Sequence, residues 1–175
     1  MSDLIQHYVP VFRYYLDRID DLAGKATADQ LAERLTPDSF SALENFGIAQ
    51  GYVLRSLCPL AGQPVPDLPD AADPKTLVGR GQEVRAHLDR LEGVSAQNTG
   101  KINHVAGKAT LDQDPYDYIA LYGAPNFFFH MNMGYAILRS VGGAIGKGDF
   151  DGFHSYPSGF SFVTGDQGQT PEPAQ

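Results

Sequence analysis

The sequence is short of positive charge and contains a single cysteine. Lys and Arg number 13 against 21 Asp and Glu, which gives a formal net charge of −8. Nucleic acids and anionic membranes both require a basic surface, so we expect neither as a partner. The single cysteine, Cys58, excludes an internal disulfide and fits a reducing compartment. Its apolar neighbours, LRSLCPL, favour a small buried hydrophobic residue over a nucleophile.

Long apolar runs and nucleotide-binding motifs are also missing. No run approaches the length of a transmembrane helix, and the N-terminal MSDLIQHYVP does not have the pattern of a secretion signal. No Gly-x-Gly-x-x-Gly or phosphate-loop pattern lies between a strand and a helix, and we find no internal repeat. We therefore expect a cytoplasmic protein of one domain whose partner is small, neutral or another protein.

Apolar residues recur at helical spacing in the first third of the chain. The first predicted helix covers residues 5–24, where Pro10 requires either a later start or a kink. Residues 36–38, Thr-Pro-Asp, predict the start of a second helix that continues to Pro59. We place Phe40 on the apolar face of this second helix.

The remaining elements follow a proline-rich segment. Residues 59–74 contain five prolines and are predicted to be an extended linker. The third helix is predicted from the Asp73-Pro74 start signal down to Gly93. Residues 101–112 predict a small hairpin that carries His104. A last helix is predicted from Pro115 with apolar positions through Leu138, a kink or a restart at Pro125, and a stop at Gly142-Gly143.

These elements predict an all-α antiparallel four-helix bundle, with a long crossover between the second and third helices and a small β-hairpin before the last. We expect residues 1–152 to form this bundle. Residues 153–175 are rich in Ser, Gly, Pro and Gln without periodicity, and we expect them to form an extended, mobile tail.

The last predicted helix carries the candidate site. Asn126 and His130 lie four residues apart, so they share a face and can offer two ligands to a metal or two polar groups to a substrate. Phe127 and Gly134 lie on the same face and predict an apolar lining. An alternative stays open, in which His130 is a core residue hydrogen-bonded to a backbone carbonyl. The second-helix residue that meets it is Glu44, Asn45 or Gln50.

A family resemblance adds to this interpretation. The stretch APNFFFHMNMGYAILRSVGGAIGKGDFDG resembles the C-terminal signature of a bacterial and fungal domain of unknown function, number nineteen-ninety-three. YVPVFRYYLDRIDDL and RLTPDSFSALENFGIAQ match the same family, so that the resemblance covers about the first 152 residues. That family is similar to the DinB and YfiT-like helical bundles, which implies the same four-helix architecture.

The resemblance also concerns metal binding. Members of the DinB-like group carry three histidines around a divalent metal, one from the second helix and two at His-x-x-x-His spacing on the last. His130 matches the second of that pair, Asn126 stands at the first, and the second-helix position falls on or near Asn45. Asparagine is a poor ligand for zinc or nickel. The resemblance therefore implies a pocket without a tightly held metal, although a divalent metal at His130 stays open.

Three functions remain open. In the first, a homodimeric DinB-like protein binds a small molecule in a pocket lined by Asn45, Asn126, Phe127, His130 and Gly134. The resemblance also allows a metal- or thiol-dependent transferase or hydrolase with His130 as ligand or general base. In the third, the protein is a structural homodimer with residues 127–129 at its interface and no small-molecule site.

Overall fold

Helices make up most of the chain in the computed structural model, which describes residues 3–97, 100–157 and 160. The elements are α1 (Leu4–Gly24), α2 (Ala28–Ala32), α3 (Ala42–Leu57), α4 (Pro74–Leu91), β1 (Ile102–Ala106), β2 (Ala109–Gln113), α5 (Pro115–Asp117), a π-helical turn (Tyr118–Gly123), α6 (Ala124–Ser140) and α7 (Lys147–Asp151). In the part of the chain that is described, no helix is long and apolar enough to cross a membrane.

The first helix, α1, begins before Pro10. The Asp3 side chain accepts a hydrogen bond from the Ile5 N–H at 3.0 Å, which caps the first turn. Ile5 is also fully buried, so packing holds this turn in place. Pro10 therefore lies inside α1, and the alternative of a later start is wrong.

The second long helix, α3, begins later than predicted. The Ser41 hydroxyl accepts the Glu44 N–H at 3.2 Å, and the Glu44 carboxylate accepts the Ser41 N–H at 2.7 Å. This reciprocal capping prevails over the Thr-Pro signal, whose residues form a turn closed by the Ser39 N–H on the Thr36 carbonyl at 3.0 Å. Phe40, predicted on the apolar face of the helix, instead precedes it and is 52% exposed.

Helix α3 lies at the centre of the packing. It makes its most extensive contact with α6 and also packs against α4 and α1, while α1 packs against α4. The contact with α6 is close at Gly134, where a Cβ atom would lie only 2.6 Å from the Phe46 ring. Phe127, also on α6, is fully buried and packs edge-on against Phe12 of α1 at a ring-centroid distance of 5.1 Å.

The linker and the hairpin have the predicted form. Residues 63–73 contain no helix or strand. The Asp73 carboxylate then accepts the Thr76 N–H at 2.7 Å and caps α4. Strands β1 and β2 pair antiparallel, with Ala106 opposite Ala109. The turn between them uses Gly107 at a φ of 61°, a conformation that favours glycine.

The last long helical stretch changes its winding immediately before Pro125. The π-helical turn ends as the Ala124 N–H donates to the Ile119 carbonyl, five residues earlier. Pro125 has no N–H, and it lies at the start of α6, where a missing donor is tolerated. The change falls where the sequence predicted a kink or a restart.

The sequence did not predict α2 or α7. The short helix α7 lies on α1, where the Tyr14 hydroxyl donates to the Asp151 carbonyl at 2.7 Å. Residues 158–159 and 161–175 of the predicted tail lie outside the described residues.

Candidate functional site

His130 of α6 and Asn45 of α3 form a buried hydrogen bond between the two helices. The distance from His130 Nδ1 to Asn45 Oδ1 is 2.9 Å. The Asn45 amide nitrogen donates to the Phe40 carbonyl at 3.1 Å and to the Ser41 carbonyl at 2.9 Å. Because both amide hydrogens are used, Asn45 Oδ1 is the atom that accepts from the histidine. The proton of neutral His130 is therefore on Nδ1, and Nε2 carries a lone pair.

Aromatic rings surround the imidazole of His130, which is 8% exposed. The Tyr52 ring stacks on it at 5.6 Å and 20°, and Phe40 and Phe129 present their edges at 6.1 and 5.1 Å. Burial lowers the pKa of His130, and the positive charge of Arg55 lowers it further. The ring is thus neutral at pH 7, and Nε2 has no hydrogen-bond partner within the described segments.

A cavity of about 470 Å³ lies beside His130. Its volume is in the range that small-molecule sites occupy. Helix α3 forms one wall, the linker contributes Asp70 and Ala71, and α4 contributes Arg80. The cavity thus combines aromatic surface with a comparable share of polar and charged groups.

Two glycines of α3 give the cavity its shape. A Cβ atom at Gly47 would lie 3.2 Å from the Ala71 Cβ, so the glycine lets the linker approach the helix. A Cβ atom at Gly51 would lie 2.9 Å from Arg80 Nη2. Gly51 therefore makes room for the guanidinium group. At both positions the space that glycine leaves offsets its low helix propensity.

Two arginines line the same cavity without a carboxylate partner. Arg80 donates from Nε to the Gly47 carbonyl at 3.1 Å and from Nη1 to the Pro69 carbonyl. Arg55 lies over the Tyr52 ring, with its guanidinium carbon 5.4 Å from the ring centroid. Neither guanidinium has a carboxylate oxygen within 4 Å among residues 3–97, 100–157 and 160.

The sequence matches the family described as Domain of unknown function (DUF1993) over residues 4–151. The chain belongs to the DUF1993 family. This confirms the family predicted from the C-terminal signature. No curated protein matches the sequence significantly.

The DUF1993 chain is also similar to a crystal structure of a DinB family member protein from Shewanella denitrificans. The two are 24% identical with a TM-score of 0.73, and the match covers 89% of this chain and 95% of that one. This similarity shows a shared DinB-like fold.

The site residues predicted for the DUF1993 protein do not all lie at the cavity. His130 lines the cavity, and Asn45 lies directly behind it. Asn126 is half-buried, donates to the Tyr122 carbonyl of its own helix at 2.7 Å and does not line the cavity. Phe127 and Gly134 lie in the packed core because their side of α6 faces α1 and α3.

Sequence reasoning missed Arg55, Arg80 and Tyr52. One signal was available on α3, where Gly47, Gly51 and Arg55 recur every four residues and so lie along one face. No comparable pattern points to Arg80, which belongs to a different helix.

The DUF1993 site does not fit the three-histidine metal centre of the DinB-like resemblance. Within the described ranges, no group of three His, Cys, Asp or Glu side chains could hold a metal ion. Asn126 uses its amide nitrogen within α6, and Asn45 meets the protonated side of His130 rather than the Nε2 lone pair. Glu44, which lines the cavity, already pairs with Arg34.

Cys58 is buried at the end of α3, as the sequence predicted, with 2% of its surface exposed. Burial raises the pKa of its thiol to about 11. The thiolate is the nucleophilic form of cysteine, so Cys58 is unsuited to nucleophilic chemistry near pH 7.

Proposed function

We propose that this DUF1993 protein binds a small organic molecule in the cavity beside His130, without a tightly held metal. One observation carries the proposal. Asn45 fixes His130 in the Nδ1-protonated form, so that Nε2 offers a lone pair on the residue that lines the cavity. A hydrogen-bond donor of a ligand can bind to this atom.

The alternative is that His130 only ties α3 to α6. Such a role needs Nδ1 alone, and it would leave Nε2 as a polar atom without a protein partner. The partly enclosed cavity supports the binding role, because a ligand or water can reach the histidine there.

A fragment screen by ligand-observed NMR tests the proposal. Fragments that bind the wild-type protein are titrated against His130→Gln and against Asn126→Ala, a matched control one turn away on α6. We expect affinity to fall by about tenfold in His130→Gln, because a hydrogen bond is lost, and to stay unchanged in Asn126→Ala.

Two results would contradict the binding proposal. One is unchanged fragment binding in His130→Gln together with a loss of about 1–3 kcal/mol in unfolding free energy, which would assign the histidine to the core. The other is an equal loss of affinity in both variants.

Metal content tests the enzyme alternative. The untagged protein is incubated with zinc, nickel and manganese in turn, dialysed, and its metal content per chain is measured. We expect no stoichiometric retention, because the residues at the site do not supply three ligands. Stoichiometric retention that disappears in His130→Ala would favour a metal-dependent transferase or hydrolase.

The finer architecture is also part of the proposal. We infer that α1, α3, α4 and α6 form an antiparallel bundle of the DinB type over residues 1–152. We also infer a homodimer, supported by Leu121 and Phe129, which are 68% and 57% exposed. Size-exclusion chromatography with light scattering checks this, and a monomer at micromolar concentration would count against it.

A further inference from the structure

The arginines of the cavity indicate the charge of its ligand. Arg80 is half-buried, and its two protein partners are neutral carbonyls rather than a carboxylate. Arginine stays protonated in proteins, so this side chain keeps its positive charge as it leaves water. Removing a cation from water is costly unless an opposite charge compensates it. An anion in the cavity would supply that compensation.

Arg55 adds a second cation beside the same space. Its side chain is exposed at the edge of the cavity, and the Tyr52 ring holds its guanidinium. The Arg55 backbone carbonyl accepts from the Tyr118 hydroxyl, but the guanidinium group makes no hydrogen bond to the described part of the chain, so its donors are available. Guanidinium groups bind planar carboxylates through paired N–H donors.

We propose that Arg55 and Arg80 bind the carboxylate of a small organic acid whose apolar body lies against Tyr52, Phe40 and His130. This inference rests on the proposed function, since it places the ligand in the same cavity. The aromatic rings favour an acid with a flat or aromatic body.

The local charge favours a carboxylate over a phosphate. Asp70 also lines the cavity, and Glu44 is neutralised by Arg34. Asp67 and Glu83 also lie near Arg80, so the acidic side chains offset much of the positive charge of the two arginines, and a dianionic phosphate is disfavoured more than a singly charged carboxylate. Arg55 lies in the last turn of α3 and Arg80 in the interior of α4, whereas phosphate sites commonly use the free N–H groups of a helix N-terminus.

The experiment titrates benzoate, phenylacetate and 3-phenylpropionate into the full chain at pH 7, beside their uncharged primary amides. Binding is followed by isothermal titration calorimetry and by protein-observed NMR. We expect at least one acid to bind about tenfold more tightly than its amide, as a charged hydrogen-bonded contact requires.

Three variants assign this preference to the cavity. The side chain of Arg55 is exposed and makes no hydrogen bond, whereas Arg80 is half-buried and also holds the linker. Arg55→Met and Arg80→Met should each weaken acid binding about tenfold more than they weaken amide binding. Asp70→Asn removes the competing carboxylate and should strengthen acid binding. Arg90→Met is the charge-matched control, because Arg90 is exposed on α4 outside the cavity. It should change neither acid binding nor amide binding.

Several outcomes would overturn the inference. Acids and amides that bind equally, or fail to bind, would exclude carboxylate recognition, and so would an equal effect of Arg90→Met and Arg55→Met. Tighter binding of inorganic phosphate at the same residues would show that the site recognises a phosphate rather than a carboxylate. If uncharged fragments still bind in a His130-dependent manner, the proposed function stands and only this inference fails.

Discussion

Arg80 and Arg85 lie five residues apart on α4 and have opposite surroundings. Arg85 donates from Nη2 to Asp17 at 2.8 Å and to Asp20 at 2.7 Å, and so links α4 to α1. Arg80 faces α3 and the linker, where it meets only backbone carbonyls. On the α1 side of α4 the arginine thus forms direct ion pairs, whereas on the cavity side the nearby Asp70 does not pair directly with Arg80.

Asp20 shows the energetic cost of burying charged groups on the α1 side of α4. Burial raises the pKa of its carboxyl group, although Arg85 acts in the opposite direction. One carboxylate oxygen, Oδ1, is buried without a hydrogen-bond partner in the described structure. We therefore expect stability to depend more on Arg85 than on Arg55, whose exposed side chain makes no hydrogen bond.

The first prediction is the largest and concerns stability. Arg85→Met should lower the free energy of unfolding by about 1–3 kcal/mol, because it leaves the half-buried Asp20 without its counter-charge. Arg55→Met should lower it by less than about 1 kcal/mol, since only the contact with the Tyr52 ring is lost. Urea denaturation measures both free energies of unfolding. Equal losses in the two variants would contradict the difference between the α1 side and the cavity side.

The second prediction concerns pH on the cavity side. The pKa of His130 is lowered in the folded protein, so below pH 6.5 the unfolded chain binds a proton that the folded chain does not. Stability should therefore fall as the pH drops below about 6.5, by at most about 1.4 kcal/mol per pH unit from this group. Protonation would also place a third positive charge near the two arginines.

His130→Gln should make the urea midpoint less dependent on pH below about 6.5, where an unfolded histidine takes up a proton. Burial also lowers the pKa of His87, so His87→Gln should reduce the pH dependence as well, and the double variant separates the two contributions. An unchanged pH profile in the His130 variant would show that its imidazole is not neutralised by folding.

The third prediction is the smallest and concerns the glycine beside Arg80. Gly79→Ala should raise stability by about 0.5–1 kcal/mol, because it removes backbone freedom in a helix where no atom lies within 4 Å of the new Cβ. Gly51→Ala should gain less, since its Cβ would press on Arg80 Nη2. Equal gains, with unchanged acid binding, would show that the position of Arg80 is not set by Gly51.

Much of the fold could be predicted because its signals are local. The Asp73-Pro74 start, the turn at Gly107 and the apolar periodicity of α1 each depend on neighbouring residues. The start of α3 was misjudged because two cap signals lie close together, and the reciprocal bonds of Ser41 and Glu44 are stronger than the Thr-Pro signal.

The candidate site was predictable only in part. His130 stood out as a polar residue in an apolar helix, and Asn45 followed from the family resemblance. The spacing of Asn126 and His130 defined a helix face, but it could not show that the Asn126 amide would bind its own backbone. Arg55 and Arg80 come together through the packing of α3 against α4, and helix rotation about the long axis is not encoded in local spacing.

The linker over residues 63–73 separates the chemistry of the cavity from the packing of the long helices. It closes the cavity through Asp70 and Ala71, and Arg80 holds it by the Pro69 carbonyl. A substitution at Asp70 should therefore change which ligands the cavity accepts while α3 and α6, which carry Arg55 and His130, stay packed against each other.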